Sequence, residues 1–336
     1  MSESPITLQL ILSLLGLSGF ILSFYIFIKK RKKQPLMCPM KASCTTVIHS
    51  DYSKIAGVPL EVIGILYYAF TLIVHVFLYL NPYFETPLVS FVLITLSSFA
   101  FLFTLYLIGI QAFALRSWCT WCLMSAFITT LIFITTLFTS EVGAVAVLGA
   151  YKIPILLAHT IGVILGVGAA TITDIFFFRF LKDRKISEHE TEVMNTLSNV
   201  IWFAISLLIM TGFFLYLPRA EELNQTPKFL VKAIVVLVIA VNGVVLNLVI
   251  SPKLMQISFG GEHLHKDGEL SHLRRLAMAL GGVSIVSWYT AFILGSFRNI
   301  DLSFNTILMI YLSLLFLAVI GSQIFDYFFT NKKINL

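Results

Sequence analysis

The feature that most limits what this chain can become is a series of uninterrupted apolar runs, each long enough to cross a bilayer, which takes roughly 20 residues. They fall near residues 5–28, 58–80, 88–114, 120–139, 153–178, 196–217, 229–250, 275–297 and 304–329. The runs are continuous rather than alternating, so they predict helices and not the strands of a membrane barrel. With 58% hydrophobic and 12% charged residues over 336 positions and a mean hydropathy of +0.92, the chain is too apolar for a soluble domain of ordinary make-up. The expectation is an all-α integral membrane protein of about nine spans. The first run is longer than the core of a signal peptide, and it has no basic stretch before it and no small-residue cleavage site after it. It is therefore read as the first span. The fifth run has the least sharp boundary, because the glycine-bounded stretch 143–149 either prolongs a loop or begins a helix.

A net charge of +6, from 23 basic and 17 acidic residues, raises nucleic acid as a partner. The basic residues lie in short loops between spans, the pattern of orientation and contact with lipid headgroups. No nucleic-acid partner is expected.

The chain has four cysteines, and none follows position 122. Cys38 and Cys44 share the loop after the first span, in Cys38-Pro-Met-Lys-Ala-Ser-Cys44. Cys119-Thr-Trp-Cys122 opens the fourth span. If spans alternate in direction, that loop and the start of span four face the same side, and all four sulfurs can meet. Two cysteines three apart at a helix start lie about one turn from each other on one face. The free amides and the dipole there favour the thiolate, the species that attacks a disulfide, and Arg116 is expected to add to the positive field. A structural zinc site and two structural disulfides remain the alternatives. The five-residue interval in the loop and the siting of the second pair where a span enters lipid speak against zinc.

These residues form part of a longer pattern. After Cys38 comes Cys44-Thr-Thr-Val-Ile-His-Ser50-Asp-Tyr-Ser-Lys-Ile-Ala-Gly57-Val-Pro59-Leu-Glu-Val-Ile-Gly64, then Tyr67-Tyr68, and later Cys119-Thr-Trp-Cys122. This resembles the vitamin K epoxide reductases and their bacterial and archaeal relatives, over about the first 140 residues. The resemblance implies a four-helix bundle around a quinone of the ubiquinone or menaquinone type, occupying residues 1–142. It implies that Cys122 lies nearest the quinone and passes electrons to it. Cys119 would exchange disulfides with Cys44, and Cys38 would face outward to accept electrons from a partner. Ser50 matches the family serine that hydrogen-bonds the quinone carbonyl; a turn or cap hydroxyl is its plain alternative. Two departures stand out. The interval from Cys38 to Cys44 is shorter than in the animal enzymes, and the thioredoxin-like domain fused to many microbial relatives is missing from this sequence. A separate thioredoxin-like protein, acting in trans, is the expected partner. Polar residues inside spans two and three, His75, Ser97, Ser98 and Thr104, are read as helix-packing hydrogen bonds.

Residues 143–336 are read as a second domain of about five spans, without cysteine or assignable motif. A weak repeat of span, charged stretch and span is visible, with Lys182-Asp-Arg-Lys-Ile-Ser-Glu-His189 and His263-Leu-His-Lys-Asp-Gly-Glu269 in equivalent places. His159, Asp174, Lys232, Asn242, Asn247, Gln323 and Asp326 lie in or near these spans. Intramembrane ionisable groups mark transport or proton paths, but Asp174, Lys232 and Asp326 are near span ends and can snorkel. His189, His263, His265 and His272 fall in polar loops, with a surface metal site as the alternative to solvation.

With alternating spans, 18 of the 23 lysines and arginines fall on the cysteine side. The positive-inside rule then turns the cysteines to the cytoplasm, whereas most microbial members of the resembled family oxidise proteins outside the membrane, where disulfides persist. The sequence leads to a thiol-disulfide oxidoreductase of the plasma (inner) membrane. A transporter with structural or redox-regulatory cysteines, and an assembly scaffold, are the rivals.

Overall fold

The computed structural model describes residues 5–32, 34, 36, 38, 44–55, 57–139, 143–180, 188–250, 269–297 and 300–331. Among them are nine helices long and apolar enough to cross a membrane. The protein is an all-α, multi-pass membrane protein. It divides into two compact units, Met1–Ile153 and Pro154–Leu336.

In the first unit α1 (Pro5–Arg31) packs along α3 (Leu60–Leu80) and against α5 (Thr120–Thr139), while α4 (Pro87–Gly109) packs on α5. Lipid provides no hydrophobic force to join helices, so close backbone approach and polar contacts hold them. Gly16, Gly19 and Ser23 form a small-residue stripe on α1 that admits α3. A Cβ on Gly16 would stand 2.8 Å from the Leu72 amide nitrogen, and one on Gly19 would run into the Tyr68 ring. Across the interface, a Cβ on Gly64 would lie 2.8 Å from Ser23 Oγ. The room made by Gly19 lets Tyr68, 1% exposed, reach across to α5, where its hydroxyl meets Ser125 Oγ and Thr129 Oγ1, each at 2.8 Å.

At the end of the bundle away from the cysteines, His75 Nδ1 donates to Gln9 Oε1 at 2.6 Å, and Gln9 Nε2 donates to Glu85 Oε2 at 3.1 Å. Ser97 and Ser98 each donate to the Ile94 carbonyl. The His75 bond joins α3 to α1, the packing bond expected of a polar residue within an apolar helix; those of Ser97 and Ser98 stay within α4.

At the cysteine end, the short helix α2 (Cys44–Ile48) leads into a minimal hairpin of β1 (Lys54–Ile55) and β2 (Val58–Pro59), antiparallel, with Ile55 opposite Val58. Its turn needs a positive φ, which Gly57 supplies at +82°. Pro59 then precedes the first residue of α3, where its missing amide costs nothing. The short helix α6 (Ala144–Ala150) packs on α4, and Phe91 stacks on Tyr151 at 4.5 Å. The glycine-bounded stretch is thus helical, and it belongs to the first unit. The first compact unit ends at Ile153.

The second unit comprises α7 (Lys152–Phe180), α8 (Glu188–Tyr216), α9 (Ala220–Asn224), α10 (Pro227–Val244), which continues as a π-helical stretch Val245–Ile250, then α11 (Glu269–Ser296) and α12 (Phe304–Asn331). Its core joins Ile205, Val231, Val235, Ile239, Trp288 and Tyr311. Ser287 Oγ meets the Tyr311 hydroxyl at 2.9 Å, and His159 Nδ1 donates to Thr211 Oγ1 at 2.8 Å. Asp174 does not snorkel: its Oδ2 is buried without a hydrogen-bond partner. The charged stretches of the weak repeat, 182–189 and 263–269, fall almost wholly outside the described residues, as do His263 and His265. The side chains of His189, Asn247, His272 and Asp326 are likewise outside them.

Candidate redox site

All four cysteines belong to one apolar core. Cys44 and Cys119 are buried in it, at 1% and 0% exposure, and half-buried Cys38 and Cys122 pack against it. Cys38 and Cys44 are joined as a disulfide with Cα atoms 6.0 Å apart. Cys119 and Cys122 are free thiols.

The geometry of the inner pair follows from the start of α5. The Leu123 amide donates to the Cys119 carbonyl at 3.0 Å, so Cys119 is the residue that begins the helix. Its sulfur accepts from the Cys122 amide at 3.4 Å, as a serine or aspartate oxygen does in an N-cap. The Cys122 thiol also bonds it, and this contact, opposed by burial and aided by the amides of Cys122 and Trp121, pulls the Cys119 thiol down from 9.0 to about 7. Arg116 has a different part from the one expected. Its side chain is exposed and its backbone takes a left-handed φ of +48°, which turns the chain into α5, and hydrogen bonds rather than its charge hold Cys119 down.

What fixes Cys119 in place is Gln111, a residue the cysteine spacing gave no reason to notice. α4 ends in a π-helical turn, Ile110–Ala114, a distortion frequent at functional sites. The widened turn presents Gln111, 3% exposed, to the following loop. Its Oε1 accepts from the Cys119 amide at 2.9 Å, and its carbonyl accepts from the Ser117 amide at 3.1 Å.

Two further residues passed unnoticed among the loop charges. Lys30, near the end of α1, pairs with Glu61 in the first turn of α3 at 3.0 Å, with side chains only 16% and 8% exposed. Both charges act through space on the Cys122 sulfur. A turn earlier on α1, Tyr25 packs on Trp121 with ring centroids 5.1 Å apart. A lone lysine in a run of five basic residues carries no signal of its own; the acid that answers it was the legible half, since acids favour a helix start.

Ser50 lies just after α2, half-buried, and its hydroxyl donates to the Val47 carbonyl at 2.7 Å. Tyr67 packs against the cysteine core, and its hydroxyl is buried without a hydrogen-bond partner.

Residues 10–137, less than half of the chain, match the family model described as Vitamin K epoxide reductase family. The N-terminal part of the chain belongs to the vitamin K epoxide reductase family. No curated protein and no solved structure matches the chain. The matched stretch runs from within α1 to within α5 and contains all four cysteines. Family membership makes this unit a membrane thiol oxidoreductase that acts on disulfides.

Proposed function

We propose that the protein oxidises the dithiol of a thioredoxin-like partner and delivers the electrons to a membrane quinone of the ubiquinone or menaquinone type. The observation that carries this is the gathering of two cysteine pairs, Cys38 with Cys44 and Cys119 with Cys122, in one apolar core.

A partner thiolate attacks Cys38, the less buried of the outer pair; the Cys38–Cys44 bond breaks and Cys44 leaves as thiolate. The partner's second thiol resolves the mixed disulfide and frees Cys38. Cys44 then attacks Cys119 of an inner disulfide, Cys122 leaves as thiolate, and Cys38 closes on Cys44. The outer disulfide and two inner thiols result. A bound quinone supplies the terminal two-electron, two-proton acceptor. On the side of the chain, Cys119 and Cys122 close their disulfide and release two protons. The Tyr67 hydroxyl, a buried donor without an acceptor, fits a quinone carbonyl, and Tyr25, Leu115 and Trp121 offer an apolar wall. Ser50 joins it by turning its hydroxyl away from Val47.

We place the protein in the plasma (inner) membrane. The side its cysteines face decides the substrates: secreted proteins if outward, cytosolic ones if inward. The test is anaerobic reduction of a soluble quinone by purified protein with a dithiol donor. Wild type turns over, Cys122→Ala does not, and Ser50→Ala and Tyr67→Phe raise KM for the quinone. If wild type reduces no quinone with any dithiol, the proposal falls. A partner whose second cysteine is replaced by serine should be trapped on wild type as a mixed disulfide with Cys38, because the thiol that would resolve it is gone.

A further inference from the structure

Lys30 and Glu61 form a bidentate pair, the ammonium standing 3.0 Å from Oε1 and 3.1 Å from Oε2 of the carboxylate. The pair continues the ladder by which α1 meets α3. Gly16 lies against Leu72, Gly19 against Tyr68 and Ser23 against Gly64; Lys30, seven residues beyond Ser23, then meets Glu61, one turn before Gly64. The small residues already hold the two helices together, and a buried ion pair adds little that apolar side chains of similar volume would not. Ionisable groups within a span are costly and mark functional sites.

What the pair adjoins is the cysteine core. Leu22, and Ile26 one turn before Lys30, belong to that core, and Cys122 packs against it. Both charges act on the Cys122 sulfur, the carboxylate more strongly than the ammonium. Besides the cysteines, the other titratable groups at this core among the described residues are Tyr25, Tyr67 and Tyr68, phenols that bring no charge at neutral pH. Lys29 turns to Gln34, and Arg116 is exposed. Cys119 stands in the opposite surroundings. Its sulfur accepts from the Cys122 amide at 3.4 Å at the start of α5, where free amides and the helix dipole favour negative charge. Two neighbouring sulfurs do not readily ionise together, so the inner pair carries one negative charge and its surroundings choose the sulfur.

We propose that the Lys30–Glu61 pair is a positioning element of the redox site that directs the negative charge of the inner dithiol to Cys119, the carboxylate repelling a thiolate at Cys122 and the ammonium holding that carboxylate in place. This rests on the relay proposed above and gives it a direction. Once Cys44 has bonded to Cys119 and the Cys119–Cys122 bond has broken, a thiolate at Cys122 attacks Cys119 and returns the electrons to Cys44. Repelled by Glu61, Cys122 instead takes up one of the two protons released by the partner's dithiol. The mixed disulfide is then left to Cys38, which bonds Cys44 and frees Cys119.

The experiment is brief alkylation at pH 7 of the purified full chain reduced with a phosphine, read by fragment-ion mass spectrometry as the ratio of modified Cys122 to modified Cys119. Neither quinone nor partner is present, so failure of the quinone reading and failure here are separate results. Comparison with wild type cancels the different exposure of the two sulfurs. Lys30→Glu with Glu61→Lys keeps an ion pair between α1 and α3 but reverses the charge that acts on Cys122. It should raise the ratio about tenfold, the effect of about one unit of proton affinity. Lys30→Met with Glu61→Met should raise it by less, and Glu61→Asp should leave it near the wild-type value. A ratio unchanged or lowered by the reversed pair overturns the proposal and leaves Lys30–Glu61 as a helix contact. If the reversed pair fails to fold, the methionine pair decides: a raised ratio supports the proposal, and an unchanged or lowered one overturns it.

Discussion

Cys119 occupies the place where serine or aspartate usually caps a helix, and its titration follows from that position. A thiol held down to about 7 from 9.0 is half thiolate near neutrality, so its alkylation rate in the reduced protein should rise with a midpoint near pH 7. The largest cause is the bond from the Cys122 thiol, so Cys122→Ala should move that midpoint upward. The sign for stability follows. Because the folded value is depressed, ionisation of Cys119 stabilises the fold fully above pH 9, and this contribution fades as pH falls through 7. Reduced protein should therefore gain stability relative to Cys119→Ala between those limits. The Lys30–Glu61 pair answers to a different rule. With both side chains largely buried, Glu61→Gln strands an ammonium at the membrane edge and should cost about 3 kcal/mol in denaturant unfolding. The double variant Lys30→Met with Glu61→Met should recover most of the loss.

At the scale of elements, the first unit depends on how closely α1 and α3 approach. Gly19→Ala places a methyl group in the Tyr68 ring, which should cost about 1–3 kcal/mol and loosen the bonds from Tyr68 to Ser125 and Thr129 as well. Gly109→Ala is its control, since a Cβ there meets nothing within 4 Å; helix propensity should make it neutral or stabilising by up to about 1 kcal/mol. The π turn that ends α4 sets the position of α5. Gln111→Ala leaves the buried Cys119 amide without its acceptor, a loss of about 1–3 kcal/mol. It should slow quinone reduction in proportion to the disorder it brings to the Cys119–Cys122 pair, whereas Gln111→Glu, which keeps an acceptor oxygen, should restore much of the rate.

At the scale of the whole molecule, two compact units with separate cores carry different chemistry. The first holds every cysteine and the matched family sequence; the second holds half-buried ionisable residues on two of its helices, His159 and Asp174 on α7 and Lys232 on α10. A protease site inserted at the 153/154 boundary should leave dithiol-dependent quinone reduction intact after cleavage in the membrane. Loss of that activity on cleavage, with both fragments still folded, would mean that the relay needs the second unit.

The number and placement of the spans were legible in the sequence because lipid admits only long apolar helices, and the boundaries expected for all nine lie close to the helices observed. The family was legible because its cysteines, Ser50 and the Gly57-Val-Pro59 entry to α3 stand close together along the chain. Gln111 and the Lys30–Glu61 pair were not legible, since each acts only on residues from another helix or across a loop, and nothing local distinguishes a buried lysine from a solvated one; Tyr67 stood in the family pattern, but its buried, unanswered hydroxyl did not show there. Asp174 shows the same limit. Its place near a span end suggested snorkelling, and only the packing of α7 against Gly281 decided that its carboxyl turns inward. Apolar length is a property of a segment, whereas the partner of a polar side chain is settled by which helices meet.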